Sequence, residues 1–282
     1  MTEFDLDEMQ STPAGFARGV LGLDLYEKQE DILNEFWDQH GRVKVSVRAP
    51  NGSGKSSVII PALALRNLAT CPQGRIIITS KDSRQLDEQV WPALESHRGK
   101  FDFQWYQRYV LSNEGGFIIG FTTDDPARAE GWHHKIDPPS IDSPVTIICD
   151  EAKSIPDPIF EAFSGRCTFN ALLYISSTGE LSGAFARSQD NGSDFIRYHI
   201  TYGDCEHILD QKRVEALRTF YPPDDPFLRS TLYAEFMDHT GDSGRFTTLA
   251  QIRKWIQNPP EEMAGDTVAF CDFAGAMLPG ND

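Results

Sequence analysis

The apolar positions of the chain fall into short blocks of two kinds. The β-rich Lys44-Val-Ser-Val-Arg48 is followed by four runs without polar alternation: Arg75-Ile-Ile-Ile-Thr79, Gly116-Phe-Ile-Ile-Gly-Phe121, Val145-Thr-Ile-Ile-Cys149 and Ala171-Leu-Leu-Tyr-Ile175. Continuous apolar strands are what a parallel sheet covered on both faces requires, because neither side of such a strand meets water. Between these runs the spacing predicts helices over 55–69, 83–97 and 156–163. Ahead of the first strand Leu25, Ile32, Leu33, Phe36 and Trp37 recur at helical intervals over 25–39. The order predicts an α/β fold with a mainly parallel central sheet flanked by helices.

Beyond the last of these strands the pattern turns helical, with candidates at 206–220, 226–237 and 249–256. Asn258-Pro-Pro-Glu-Glu262 breaks both periodicities, and Thr267-Val-Ala-Phe-Cys271 begins another strand. We therefore expect a core over 1–203, a small helical subdomain or linker over 204–258, and the start of a further domain over 259–282.

Composition narrows the functional classes. With 40% hydrophobic and 24% charged residues the chain has ordinary globular usage, and no apolar run approaches a membrane span. The acidic first ten residues do not resemble a secretion signal, so the expected compartment is the cytoplasm. Five widely spaced cysteines without a Cys-x-x-Cys pair argue against both a disulfide framework and a zinc module. Among the histidines, His133, His134, His199, His207 and His239 likewise lack metal-ligand spacing. A net charge of −16 is a poor global match for phosphate neutralisation, so any nucleic-acid contact is expected to be local, transient or supplied by further sequence. Trp91, Trp105, Tyr106 and Tyr109 offer either a base-stacking platform or interior packing, the commoner fate of aromatics.

The chemistry concentrates after the first strand. Ala49, Pro50, Asn51, Gly52, Ser53, Gly54, Lys55 and Ser56 fit the P-loop pattern, with Ala49 replacing its first glycine and Ser57 continuing into the helix. Gly52 and Gly54 let the backbone curl so that its N–H groups converge on a phosphate at the positive end of a helix dipole. Lys55 is expected to bridge the terminal phosphates and Ser56 to ligate Mg²⁺. The run Val145-Thr-Ile-Ile-Cys-Asp-Glu151 ends in two acids where parallel sheets place their active crevice. Asp150 is expected to hold Mg²⁺ through water and Glu151 to orient or deprotonate the attacking water. No Asp-x-x-Gly follows the acidic strand and no Asn-Lys-x-Asp occurs, so adenine is the expected base and ATP the expected ligand. Tyr26 and Gln29 are either base contacts or ordinary helix-surface residues.

In the order of its parts the chain resembles the large terminase subunit of tailed phages. The matching pieces are Leu25-Tyr-Glu-Lys-Gln29, the P-loop opened by Arg48, Ala129-Glu-Gly-Trp-His133, Cys149-Asp-Glu-Ala152 and Ile175-Ser-Ser-Thr-Gly179, over residues 20–280. The resemblance implies an ATPase that drives double-stranded DNA into a capsid. It implies a homo-oligomeric ring on a portal protein, a small terminase subunit as partner, and the host cytoplasm during virion assembly. It maps the turn coupling phosphate state to movement onto Ser177 and Thr178, and an arginine finger onto Arg128 first and Arg48 second, although either also suits a surface salt bridge. It makes Val268-Ala-Phe-Cys-Asp272 the first strand of an RNase H-like nuclease domain, with Asp272 its first metal ligand. Since two-metal cleavage needs further carboxylates, nuclease activity is expected only of a longer parent protein. The rival readings are a superfamily 2 helicase-like translocase, which should carry a second RecA-like lobe, and a nucleotide-switch module that binds without turnover.

Overall fold

The computed structural model describes residues 12–37, 42–122, 124–133 and 143–237, and within them the apolar runs become neighbouring strands of one sheet. These are β1 (Val43–Arg48), β2 (Arg75–Thr79), β3 (Gln104–Tyr106), β4 (Tyr109–Leu111), β5 (Phe117–Phe121), β6 (Val145–Asp150), β7 (Ala171–Ser176) and β8 (Ile196–His199). Their spatial order is β3-β4-β5-β2-β6-β7-β1-β8. From β5 to β8 every neighbour is parallel, whereas the β3–β4 hairpin is antiparallel and joins β5 antiparallel.

Alternate residues of the central strands serve two separate cores, which is why their sequence shows no alternation. Val45, Val47, Ile76, Ile78, Leu173 and Ile175 face one cluster, shared with residues of helices Pro13–Gly19, Glu27–Asn34 and Ile60–Thr70. Ile77, Ile147, Cys149, Leu172 and Tyr174 face the other, under helices Asp157–Arg166 and Gly183–Ser188. Every residue of β6 and β7 is buried. Each such aliphatic side chain contributes about 1.5–3 kcal/mol relative to exposure.

The structure departs from the periodicity at the edges and in the helices. β3, β4 and β8 were not expected. They are three or four residues long, and β8 carries polar residues with Ile196 left 41% exposed, as a sheet edge tolerates. The stretch expected as a helix over 55–69 opens with a π-helical turn, Lys55–Ile59, before Ile60–Thr70. The one expected over 83–97 holds another, Leu86–Val90, between Ser83–Gln85 and Trp91–Glu95. Each π turn stops two residues before a proline, Pro61 or Pro92. A proline inside a helix has no N–H to give and its ring crowds the carbonyl four residues back, which a widened turn relieves.

Past β8, helices Gln211–Phe220 and Pro226–Tyr233 pack through Val214, Leu228 and Leu232 as a helical appendage. Asp210 and Asp225 cap their first turns. The first begins later than expected. The second ends at Tyr233 rather than running to 237, because Ala234 adopts a left-handed φ of 49°. The appendage shares one compact unit with the sheet. The expected helix over 249–256, the strand over 267–271 and Asp272 lie outside the described residues.

Candidate functional site

The loop after β1 is shaped from behind. Gly52 and Gly54 take φ of 87° and 83°, and a Cβ on Gly54 would meet Gln29 Nε2 at 2.4 Å. Left-handed backbone in direct contact with a neighbouring side chain is a place where only glycine fits. Tyr26 Oη and Gln29 Nε2 donate to the Ser53 carbonyl at 2.9 and 3.1 Å, and Ser53 Oγ donates to the Pro50 carbonyl at 2.8 Å. Both side chains from the helix start thus brace the loop. Lys55 is buried, and its Nζ donates to the Pro50 and Ala49 carbonyls at 2.7 and 3.3 Å. Burial pushes its pKa down, opposed by the nearby carboxylates of Glu151 and Asp150.

The acids approach this loop from β6, across the end of the intervening β7. Ser56 Oγ lies 3.1 Å from both carboxylate oxygens of the fully buried Asp150, and Gln85 Nε2 donates to Oδ2 at 3.3 Å. Burial, then repulsion from Glu151, pushes the Asp150 carboxyl up to about 6. Glu151 sits at φ 47°, a left-handed conformation costing about 1–2 kcal/mol in a residue with a Cβ. Ser176 Oγ and Ser177 Oγ each donate to its Oε2 at 3.3 Å.

The turn after β7 faces two ways. Lys153 Nζ donates to Ser177 Oγ at 2.7 Å and to the Thr178 carbonyl at 3.3 Å. Thr178 Oγ1 donates to the Glu235 carbonyl at 2.9 Å and lies 3.1 Å from Ser230 Oγ. One residue of the turn therefore contacts an acid of the site and the next contacts the appendage.

Loop, acids and turn enclose a cleft of about 740 Å³, with Asn51, Ser57, Glu151 and Ser177 in its lining. Gln85, Gln89, Lys153 and Arg213 also line it, and the sequence offered no mark for them because only folding brings their elements to the P-loop. The two arginines considered as fingers lie elsewhere. Arg48 is held by the His199 ring, Nη2 to Nδ1 at 3.2 Å, and sits over the Phe236 ring. Arg128 is exposed on helix Pro126–Ala129, in a separate depression with Lys81 and Thr122. Trp91 is buried, Trp105 and Tyr109 are half-buried, and Tyr106 is exposed.

Mg²⁺ fits the donors present: a buried carboxylate and a hydroxyl, both hard oxygen donors, with room in the cleft for phosphate and water ligands. No group of three or more His, Cys, Asp or Glu side chains suited to a metal occurs among the described residues. No helix among the described residues is long and apolar enough to cross a membrane.

A parallel sheet with a glycine-turned loop after one strand, a buried acid at the tip of another and a cleft between them defines a P-loop nucleotide-binding fold. More narrowly, the fold is that of the ATPase domain of phage large terminases. The large terminase of a thermophilic bacteriophage superposes with a TM-score of 0.60 at 12% identity, covering 76% of this chain and 54% of that one. The ATPase domain of the Thermus phage P74-26 large terminase gives 0.55 at 20% identity, covering 78% and 97%. The first of these two terminases is also known in complex with ADP, in a structure with a TM-score of 0.59 at 13% identity that covers 76% of this chain and 54% of that one. This chain thus spans about half the length of that terminase. No protein-family model matches the sequence, and no curated protein sequence does.

Proposed function

We propose that the chain is the ATPase part of a viral DNA-packaging motor, hydrolysing ATP to move double-stranded DNA into a capsid. The observation that carries this reading is the meeting of Ser56, just past the loop on β1, with the buried Asp150 at the tip of β6, at the cleft that Lys55, Ser56 and Glu151 line. A bland strand-to-helix turn has no reason to meet a buried carboxylate at that spot. In this reading the N–H groups of the loop and Lys55 bind the phosphates. Ser56 and Asp150 would hold Mg²⁺, which would supply positive charge to offset that of the phosphates. Glu151 orients a water, accepts its proton as its oxygen bonds to the γ-phosphorus, and the bond to the β-phosphate oxygen breaks to release ADP. Tyr26 and Gln29 hold the loop, and Ser177 and Thr178 link Glu151 to the appendage.

The setting proposed with it is a ring of like subunits in the host cytoplasm, docked on a portal protein and served by a small terminase subunit, with Arg128 as the finger donated between subunits. The test is a pair of substitutions. Glu151→Gln should keep ATP binding and lower turnover at least about 100-fold, the range of a lost general base. Lys55→Ala should abolish tight nucleotide binding in a titration with a fluorescent analogue. Unchanged affinity in the second variant would remove the P-loop from the proposal. A wild-type chain that binds ATP yet stays inactive even at high micromolar protein would favour the nucleotide switch.

A further inference from the structure

Lys153 ties the chain just past β6 to the turn after β7. It sits in the tight turn Ala152–Ser154, closed by the Ser154 N–H on the Glu151 carbonyl at 2.9 Å. This turn follows directly on the left-handed backbone of Glu151, and residues 151 and 153 both address the stretch from Ser176 to Thr178. The Lys153 backbone N–H donates to Ser176 Oγ at 3.3 Å, and its Nζ donates to Ser177 Oγ at 2.7 Å and to the Thr178 carbonyl at 3.3 Å. The same two hydroxyls each donate onward to Glu151 Oε2 at 3.3 Å. Both serines therefore stand between Lys153 and the carboxylate. A hydroxyl carries a single proton. Once it accepts an N–H from one side, that proton is directed to the other, and an ammonium donor polarises it further. Ser176 and Ser177 are buried, which limits competition from water, although Lys153 itself is exposed where it lines the cleft. Its stem lies along Gly179, where an added Cβ would come within 3.5 Å of Lys153 Cδ.

We infer that Lys153 is a positioning residue for Glu151: through the hydroxyls of Ser176 and Ser177 it fixes one carboxylate oxygen, Oε2, and leaves Oε1 to the attacking water. The inference rests on the ATPase reading of the cleft and adds to it a residue outside both phosphate motifs. A general base works only within hydrogen-bond reach of the proton it takes, and a small misplacement is costly. Glu151 stands on a strained residue at the end of a strand, where its own backbone does little to choose a side-chain direction. Two donors converging on Oε2 make that choice. Lys153 sets the direction of both, one through its main chain and one through its ammonium. The ammonium is turned to the serine turn, so it acts on the base and not on the phosphates.

ATP turnover with Mg²⁺ and ATPγS affinity by calorimetry are measured for the full chain, for its Lys153→Met, Lys153→Arg and Ser177→Ala variants, and for Lys153→Met combined with Glu151→Gln. Lys153→Met keeps an unbranched stem beside Gly179. It should lower kcat about ten-fold, the order of one charge-assisted hydrogen bond, with ATPγS affinity unchanged. Lys153→Arg retains donors on a similar stem and should recover part of the loss. Ser177→Ala breaks the chain of bonds at its middle and should lower kcat in the same way, so the test does not hang on one variant folding. On Glu151→Gln, Lys153→Met should cost nothing further, because a residue that acts only through Glu151 is silent once the base is gone. Turnover equal to wild type in both Lys153→Met and Ser177→Ala, or a Lys153→Met loss that adds in full to that of Glu151→Gln, overturns the positioning role and leaves the ATPase reading intact. ATPγS affinity weakened about ten-fold by Lys153→Met overturns it too, since that is the mark of a phosphate ligand. Wild type that binds no nucleotide, or binds it without turnover, removes both readings together.

Discussion

Asp150 carries the sharpest consequence at the scale of a single residue. Its carboxyl is pushed up to about 6 by burial and by Glu151, above the ordinary carboxylate range. Between about pH 4 and 6 the folded protein therefore binds more protons than the unfolded chain, and stability falls as pH rises through that window. Above it the folded state carries a buried, incompletely compensated charge. Asp150→Asn should then stabilise the metal-free protein at pH 7.5, on the order of 2 kcal/mol for a shift of this size. The advantage should disappear near pH 4, where the wild-type carboxyl is already neutral. Mg²⁺ with nucleotide should reverse the order at pH 7.5, because only the carboxylate binds a cation, and wild type should lose that benefit as pH drops through 6. Thermal unfolding of both proteins with and without Mg²⁺-ADP reads all three effects, and a less stable metal-free Asn variant at pH 7.5 would contradict the account.

Among the elements, the two π-helical turns tie helix geometry to the site. In each, an N–H bonds the carbonyl five residues back, Ile60 to Lys55 and Trp91 to Leu86, just before the proline. The carbonyls that Pro61 and Pro92 would crowd belong to Ser57 and Glu88, and both residues line the cleft. Pro92 is exposed, so replacing it removes little packing. Pro92→Ala should let the helix tighten to an ordinary α ladder and raise the unfolding midpoint, since proline is about 3 kcal/mol less favourable than alanine inside a helix. Tightening rotates Gln85 relative to Trp91, whose ring stays packed against Gly120, and withdraws the Gln85 amide from Asp150. ATP turnover should fall several-fold although the protein is more stable. Unchanged turnover in a more stable variant would show that Gln85 does not depend on the wide turn. Strand positions were legible in the sequence because burial on two faces leaves unbroken apolar runs. The wide turns were not, because the same residues read as ordinary helix until the consequence of each proline is followed through. β3, β4 and β8 were missed because strands of three or four residues are too short to set a period, and the edge strands β3 and β8 also carry polar residues.

For the whole molecule, what was legible is what a local motif encodes. Asp150 and Glu151 sit at and just past the end of β6, and Lys55 and Ser56 open the helix after the loop on β1, so parallel topology brings them to the same end of the sheet. Arg213 and Lys153 gained their places only from the path of the chain over the sheet. The proposed arginine finger belongs to a still larger scale, because a group donated by a neighbour would have no partner within one subunit. Arg48 is committed to His199 inside its own chain, whereas exposed Arg128 remains outside its own cleft, the position a group acting on another subunit requires. Specific ATP turnover should therefore rise with protein concentration, and Arg128→Ala should remove the rise without changing ATP affinity. Each copy carries a net charge of −16, so like subunits repel. Moderate salt shortens the Debye length to about 8 Å at 0.15 M and should move the rise to lower concentration, the opposite of its effect on an interface built from complementary charges. Turnover per molecule that is flat from nanomolar to high micromolar protein, at either salt and with or without Arg128, would leave the chain an ATPase that needs no neighbour.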